Sequence, residues 1–181
     1  MPEDALARNE SPWLALLVEP NHERAVATRL RRKGFEVYLP VRREQRRWSD
    51  RIKETEVVIF PGYVFGRVRY ADRMRVLNLP GVRSFVCSGR EPILVDESEI
   101  AEVRALTDTR LPVLSVPFLH KGQKVVISQG PLASLRGVIV RVRDAWRIVV
   151  NIKALGCAVA VELNPGDVDF EAASRPKSSG R

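Results

Sequence analysis

The pattern of apolar residues changes character once along this chain, between Thr107 and Lys121, and nothing else in the sequence constrains the fold as strongly. Upstream, short apolar runs alternate with stretches of helical period. Downstream, only short β-branched runs occur, separated by Gly, Pro or Asp. The stretch between holds Pro112 and Pro117 and keeps no sustained period, so it reads as a linker over 107–120. Two units are therefore expected, an α+β unit over 12–106 and an all-β unit over 121–170, with polar tails at 1–11 and 171–181 expected to be disordered.

In the first unit, Trp13-Leu14-Ala15-Leu16-Leu17-Val18 is an apolar run of strand length that stops before Pro20, which suits a central strand buried on both faces. Asn21 is placed to cap a helix running through Lys33, with Glu23 near its start, Arg31, Arg32 and Lys33 near its end, and Gly34 as its stop. A strand is expected over Phe35–Leu39, then two strand pieces, Val57–Phe60 and Tyr63–Val68, meeting at a sharp Pro61-Gly62 corner. Ala71 to Leu79 reads as a short helix with Met74 and Leu77 on its apolar side, followed by a strand at Val82–Cys87. Asp96 and Glu99 have the spacing of a capping box, opening a helix whose stripe is Ile100, Val103 and Leu106. The resulting β–α–β–β–α–β–α order implies helices packed on a sheet with antiparallel strands. In the second unit, strands are expected at 124–127, 137–142, 147–152 and 158–163, a set that avoids open edges by closing into a small barrel.

Several functions can be set aside. No uncharged apolar run approaches the ~18–20 residues that span a bilayer, and Glu3, Asp4 and Glu10 precede the first apolar stretch, so no membrane association and a cytoplasmic location are expected. Cys87 and Cys157 stand far apart without ligand-spaced partners and read as buried reduced thiols; no metal or other cofactor is implied. His22 and His120 are isolated, and neither a P-loop nor a dinucleotide-binding glycine pattern occurs, so the chain is not expected to be an enzyme. The net charge of +8 favours a polyanionic or acidic partner. Its densest cluster is Arg42, Arg43, Arg46, Arg47, Arg51 and Lys53, with Trp48 among them, read either as a phosphate-contacting hairpin tip or as a solvated one.

Phe60-Pro61-Gly62-Tyr63-Val64-Phe65, followed by Val76-Leu77-Asn78-Leu79-Pro80-Gly81-Val82 and Ser84-Phe85-Val86, resembles the amino-terminal domain of NusG-family transcription factors over roughly residues 13–106. Lys121-Gly122-Gln123-Lys124-Val125, the Gly130-Pro131-Leu132 turn and Gly137-Val138-Ile139 are similar to a KOW motif. The resemblance implies an α+β protein: a NusG amino-terminal α/β sandwich domain followed by a small SH3-like, five-stranded KOW β-barrel. It implies a monomer whose first domain binds the largest and second-largest subunits of RNA polymerase across the DNA cleft, favouring the closed form and suppressing pausing or termination. Leu14, Leu16, Phe60, Pro61, Tyr63 and Phe65 are the candidates for building or bordering the polymerase-facing patch, with Val37 in support, and Arg73 and Arg75 for the far side of the cleft. Arg42, Arg43, Arg46, Arg47, Trp48 and Arg51 are candidates for non-template or upstream DNA. Ile152, Lys153, Ala154 and Leu155 are candidates for a partner of the KOW domain, a ribosome or a termination factor.

The loop Ile152 to Cys157 is longer than in housekeeping members and lacks their Phe-Gly, which resembles specialised paralogues that control long operons; both readings stay open. A ribosome-associated or general RNA-binding KOW protein is the alternative from another class. The β-branched second unit is expected to stay a barrel, standing free on its linker with the patch open.

Overall fold

The computed structural model describes residues 11–47, 52–108, 113–117, 123–127, 133–142, 145–163 and 170–172. In chain order the first part runs β1 (Trp13–Val18), α1 (Glu23–Arg32), β2 (Val37–Tyr38), β3 (Val41–Arg47), β4 (Ile52–Val58) and β5 (Tyr63–Arg67). A 3-10 turn (Tyr70–Asp72) leads into α2 (Arg73–Leu77), followed by β6 (Val82–Phe85), β7 (Cys87–Ser88), β8 (Glu91–Pro92), β9 (Leu94–Val95) and α3 (Glu97–Thr107).

β1 is central, as its uninterrupted apolar run requires. Antiparallel β5 lies along one edge; β6 and β9 share the other, β6 against Leu16–Val18 and β9 against Trp13 and Leu14. Successive side chains of a strand point to opposite faces. Leu14, Leu16 and Val18 therefore join Val26, Ala27 and Leu30 of α1, while Trp13 and Ala15 join Ile100, Val103 and Leu106 of α3. β3 and β4 pair as a separate two-stranded ribbon.

Local chemistry departs from expectation at four places. Asn21 adopts φ +63, a left-handed conformation Asn tolerates, so the N-cap of α1 is His22, and no side chain caps it. Gly34, at φ +87, ends the helix as expected. In α2, which is barely one turn, Met74 is exposed and Val76 is the buried residue, because two positions of a helix so short do not define a face. Asp96 occupies the N-cap position of α3 without capping it; its carboxylate is drawn to Lys153 instead. Cys87 is exposed on β7 and not buried, whereas Cys157 is half-buried and its thiol is pushed up to about 11 by that burial.

The second part comprises β10 (Val113–Pro117), β11 (Gln123–Ile127), β12 (Arg136–Val142), β13 (Ala145–Ile152), β14 (Cys157–Leu163) and β15 (Phe170–Ala172). They form an antiparallel sheet in the order β10-β14-β13-β12-β11-β15. The four expected strands are its centre. β10 falls where a linker was expected: Val113 to Pro117 pairs along β14, and the proline sits at the end of an edge strand, where its missing N–H breaks no ladder. β15 covers the free edge of β11. No ladder joins β10 to β15 among the described residues, so this is an open six-stranded sheet rather than the expected closed five-stranded barrel. Short strands laid on each edge satisfy the ladder there without closure.

Gly137 shows why a glycine stands in the middle of this sheet: a Cβ would lie 2.8 Å from both Ile148 Cγ1 and the Val149 carbonyl oxygen. Gly137→Ala should therefore lower stability by about 1–3 kcal/mol through overpacking, read as a reduced urea midpoint at unchanged slope. An unchanged midpoint would mean the two strands can part at no cost.

Candidate functional site

The Phe60-Pro61-Gly62-Tyr63 corner is a tight turn closed by the Tyr63 N–H donating to the Phe60 carbonyl at 3.1 Å. Gly62 takes φ +84, which favours glycine at the third position, while Pro61 supplies the second. Two further bonds pin it. The Gly62 carbonyl accepts from the Val18 N–H at 2.8 Å, and the Gly62 N–H donates to Oε1 of Glu23 at 2.7 Å. Glu23 is only 6% exposed, so the acid expected to complement the helix start also anchors the corner.

The corner presents one residue outward and turns others in. Pro61 is exposed and Tyr63 half-buried. Phe60 and Phe65 are buried, meeting edge to face with centroids 6.1 Å apart, and Tyr38 stacks on Phe65 at 6.3 Å. Leu14 and Leu16 are fully buried against α1, on the opposite side of the sheet from Phe60 and Phe65, and Val37 packs with them. The residues of β1 on the Phe65 side are Trp13 and Ala15. Leu17, of that same parity, is half-buried and directly opposite Tyr63 across the ladder. Strand parity in β1 was the signal that could have selected Leu17.

Arg73 and Arg75 are both engaged. Arg73 lies 4.3 Å above the Tyr70 ring and 3.6 Å from Glu91, with its side chain largely buried. Arg75 donates to Asp72 at 2.6 Å, and Arg69 holds the other carboxylate oxygen at 2.8 Å. Arg75 first, then Arg69, keeps the Asp72 carboxyl below the usual range. The exposed apolar residues on this element are Tyr70 and Met74, which sequence reasoning did not select.

Of the basic candidates, Arg43 is exposed and Arg42 half-buried, 3.8 Å from Glu44. Arg46 and Arg47 are placed on β3 by their backbone; Trp48 and Arg51 lie outside the described residues, as does the Gly130-Pro131 turn. The ladder puts Arg43 opposite Glu56 near the base of the ribbon but Arg46 opposite Lys53 further along it. Arg24 ties this ribbon to α1, pairing with the Glu56 carboxylate at 2.9 Å and donating to its carbonyl at 3.0 Å.

The remaining candidates form the corner after β13, a 3-10 turn (Lys153–Leu155) closed by Gly156 at φ +60. Ile152 is fully buried and Ala154 5% exposed, in the same apolar cluster as Ile100, Val103 and Leu106. Leu155 is half-buried and Lys153 exposed. The ammonium of Lys153 stands 3.3 Å from Asp96 and 3.6 Å from Glu99, and its backbone N–H points to Glu99 Oε1 at 3.5 Å. The second sheet thus packs on α3 instead of standing free, through the buried Ile152 and Ala154, with the ion pairs of Lys153 at the edge of that contact.

Comparison with known proteins settles the family. The model described as "Transcription termination factor nusG" matches residues 11–104, just over half of the chain. The chain belongs to the NusG family. It is similar to the transcription termination/antitermination protein NusG of Rickettsia bellii, 26% identical over 114 residues, a stretch covering 61% of this chain and 60% of that protein. The protein of that name from Haemophilus influenzae is 26% identical over 140 residues, covering 74% and 75%. A solved structure concerning domain interaction in Thermotoga maritima NusG superposes with a TM-score of 0.51 at 25% identity, over 87% of this chain and 96% of that one.

A NusG-like α+β fold is the frame in which the polar clusters are placed. A cleft of about 930 Å³ opens beside Trp13, Phe35 and Leu94, but its arginines face acids of the same wall: Arg67 pairs with Glu36 and Glu97, and Arg69 and Arg75 share Asp72. Among the described residues no group of His, Cys, Asp and Glu is arranged to hold a metal.

Two expectations follow from this geometry. Glu23→Ala strands the Gly62 N–H and should cost about 1–3 kcal/mol in chemical denaturation, whereas Glu23→Gln keeps an acceptor and should cost far less. Equal losses would show that the carboxylate charge, not the acceptor, holds the corner. Asp72 has a depressed folded pKa, so its stabilisation is present above the ordinary carboxylate value and disappears as pH falls through its own lower one. The stability gap between the parent and Asp72→Asn should close on acidification through that window.

Proposed function

We propose that this chain is a non-enzymatic transcription factor that binds RNA polymerase through its first domain and recruits a second machine through its last one. The observation that carries this reading is the pinned corner: a rigid turn, in a NusG-family frame, that puts exposed Pro61 and half-buried Tyr63 and Leu17 at one rim of the apolar cluster containing Phe60 and Phe65. Tyrosine at such a rim offers an apolar face and a polar tip, a combination enriched at protein interfaces. Phe60 and Phe65 then shape the patch from beneath, while Leu14 and Leu16 support β1 from its α1 side. Arg73 and Arg75, with Tyr70 and Met74 exposed beside them, make the second contact across the cleft.

The mechanism needs no chemistry on a substrate. A protein that touches both sides of a cleft and binds its closed form better shifts the population toward that form, and pausing or termination that requires opening is suppressed accordingly. The basic ribbon adds a phosphate contact to nearby DNA. Support comes from its charge, since Arg42, Arg43, Arg46 and Arg47 all fall on the one strand β3. The corner at Ile152 to Leu155 is assigned to the partner of the second, KOW-like unit, a ribosome or a termination factor.

Tyr63→Ala should weaken polymerase binding by about tenfold or more while leaving the denaturation midpoint close to that of the parent, as expected for an aromatic interface residue that is not part of the deep core. Parent-like affinity in a folded variant would remove Tyr63 from the patch. Arg46→Glu with Arg47→Glu should reduce pause suppression more at low salt than at high salt, because phosphate contacts weaken through counterion competition. A loss independent of salt would instead indicate a solvated ribbon whose charges do not meet DNA.

A further inference from the structure

We propose that Arg24 is a positioning residue for the basic ribbon of β3 and β4: by holding Glu56 it keeps that carboxylate away from Arg43 and leaves the Arg43 guanidinium for a phosphate. The inference rests on the functional reading above for the phosphate, but not for the partition of Glu56. Three groups carry it. Arg24 leaves α1 and meets the ribbon at one residue, donating from Nη1 to the Glu56 carboxylate at 2.9 Å and from Nη2 to the Glu56 carbonyl at 3.0 Å. Arg43 stands directly opposite Glu56 in the ladder, is exposed, and forms no ion pair among the described residues.

The register says what Arg24 prevents. Residues directly opposite in an antiparallel pair have Cβ atoms about 4.5–5.5 Å apart on one face, so within the ribbon Arg43 is the cation placed to take Glu56. An opposite-charge pair across that rung would cancel Arg43. The other acid of this face, Glu54, lies two residues nearer the turn end and stands opposite Gln45 instead. A single exposed ion pair is weak and easily exchanged. Arg24 prevails because its guanidinium is bonded at once to the carboxylate and to the main-chain carbonyl of the same residue, and the second bond is one that Arg43 does not make.

Neighbouring arginines are committed elsewhere. On α1, Arg29 donates to the Pro80 carbonyl at 2.9 Å and Arg31 reaches the Val37 carbonyl at 3.5 Å, so of these three Arg24 is the one turned toward the ribbon. Of the two arginine side chains described on β3, Arg42 lies 3.8 Å from Glu44, and Arg43 is the one that can meet a phosphate without giving up an acid. Arg24 thus acts through Glu56 and does not itself touch the polyanion.

Two readouts on the full-length chain test this. In solution NMR, Glu56→Gln in the parent should move the Arg24 Nε–H far more than the Arg43 Nε–H. In an Arg24→Ala background the same change should move the Arg43 signal, because the released carboxylate has turned to it. An Arg43 signal that responds strongly in the parent, or fails to respond without Arg24, overturns the partition. The second readout is affinity for a mixed-sequence DNA duplex, followed by fluorescence anisotropy across a salt series. Arg24→Ala should lower the slope of log affinity against log salt by about 0.9, the share of one phosphate contact, and adding Glu56→Gln should restore it. An unchanged slope in Arg24→Ala overturns the positioning role, and so does a loss that Glu56→Gln does not restore, which would make Arg24 itself the phosphate contact. Arg24 and Glu56 are both exposed, so every variant should keep a parent-like denaturation midpoint. A parent whose DNA affinity does not depend on salt removes the phosphate contact from the functional reading and from this proposal together, while the Nε–H responses still decide whether Arg24 holds Glu56.

Discussion

One strand is asked to serve two cores. β1 contributes Leu14, Leu16 and Val18 to the layer under α1 and Trp13 and Ala15 to the layer under α3, while pairing on both edges. Its register is therefore over-determined: a slip by one residue would exchange the two sets and bring Leu-sized side chains against α3, where Ala15 leaves room for Phe65. The ends are tied as well. Trp13 Nε1 donates to Glu97 at 3.0 Å, the Arg67 guanidinium lies 5.2 Å over the Trp13 ring, and the Val18 N–H donates to Gly62. Both α3 and the corner are thus positioned from the same six residues.

The candidate surface inherits that rigidity. Gly62 is bonded from above by Val18 and from the side by Glu23, so the chain direction entering β5 is fixed before Tyr63 is placed, and Tyr63 is then set beside Leu17 by the ladder. An interface built this way loses little conformational freedom on binding, which is where rigid surfaces gain affinity. The basic ribbon is held differently, by Arg24 reaching across to Glu56 at one point near its base. That difference suits a contact to a polyanion, which needs charge density more than fixed geometry.

What the residues made legible in advance is what local rules control. β1, the stop at Gly34, the corner at Gly62 and the four central strands of the second sheet each follow from a run, a positive-φ glycine or a β-branched alternation. What escaped depends on partners remote in sequence. β10 looks like a proline-bounded linker until β14 is beside it, and the Asp96–Glu99 spacing reads as a capping box until Lys153, 57 residues beyond Asp96, claims both carboxylates. Leu14 and Leu16, candidates for the patch, lie on the α1 side of the sheet, which was not legible because a run apolar at every position does not say which set faces which helix. Met74 and Cys87, read as buried, were misplaced for a related reason: an apolar type on a one-turn helix or a two-residue strand carries almost no directional information.

The packing of the second sheet on α3 has a scale that decides how it can behave. Two units of one chain meet at an effective concentration of about millimolar, so an intrinsic contact worth about 4 kcal/mol is already half closed. An exposed ion pair such as Lys153 with Asp96 contributes ~0–1 kcal/mol, at most about a quarter of that sum, so the apolar contacts carry most of it. Ile152 and Ala154, buried in one cluster with Ile100, Val103 and Leu106, set where the sheet docks, and the exposed charge at position 153 only adjusts the strength of that contact.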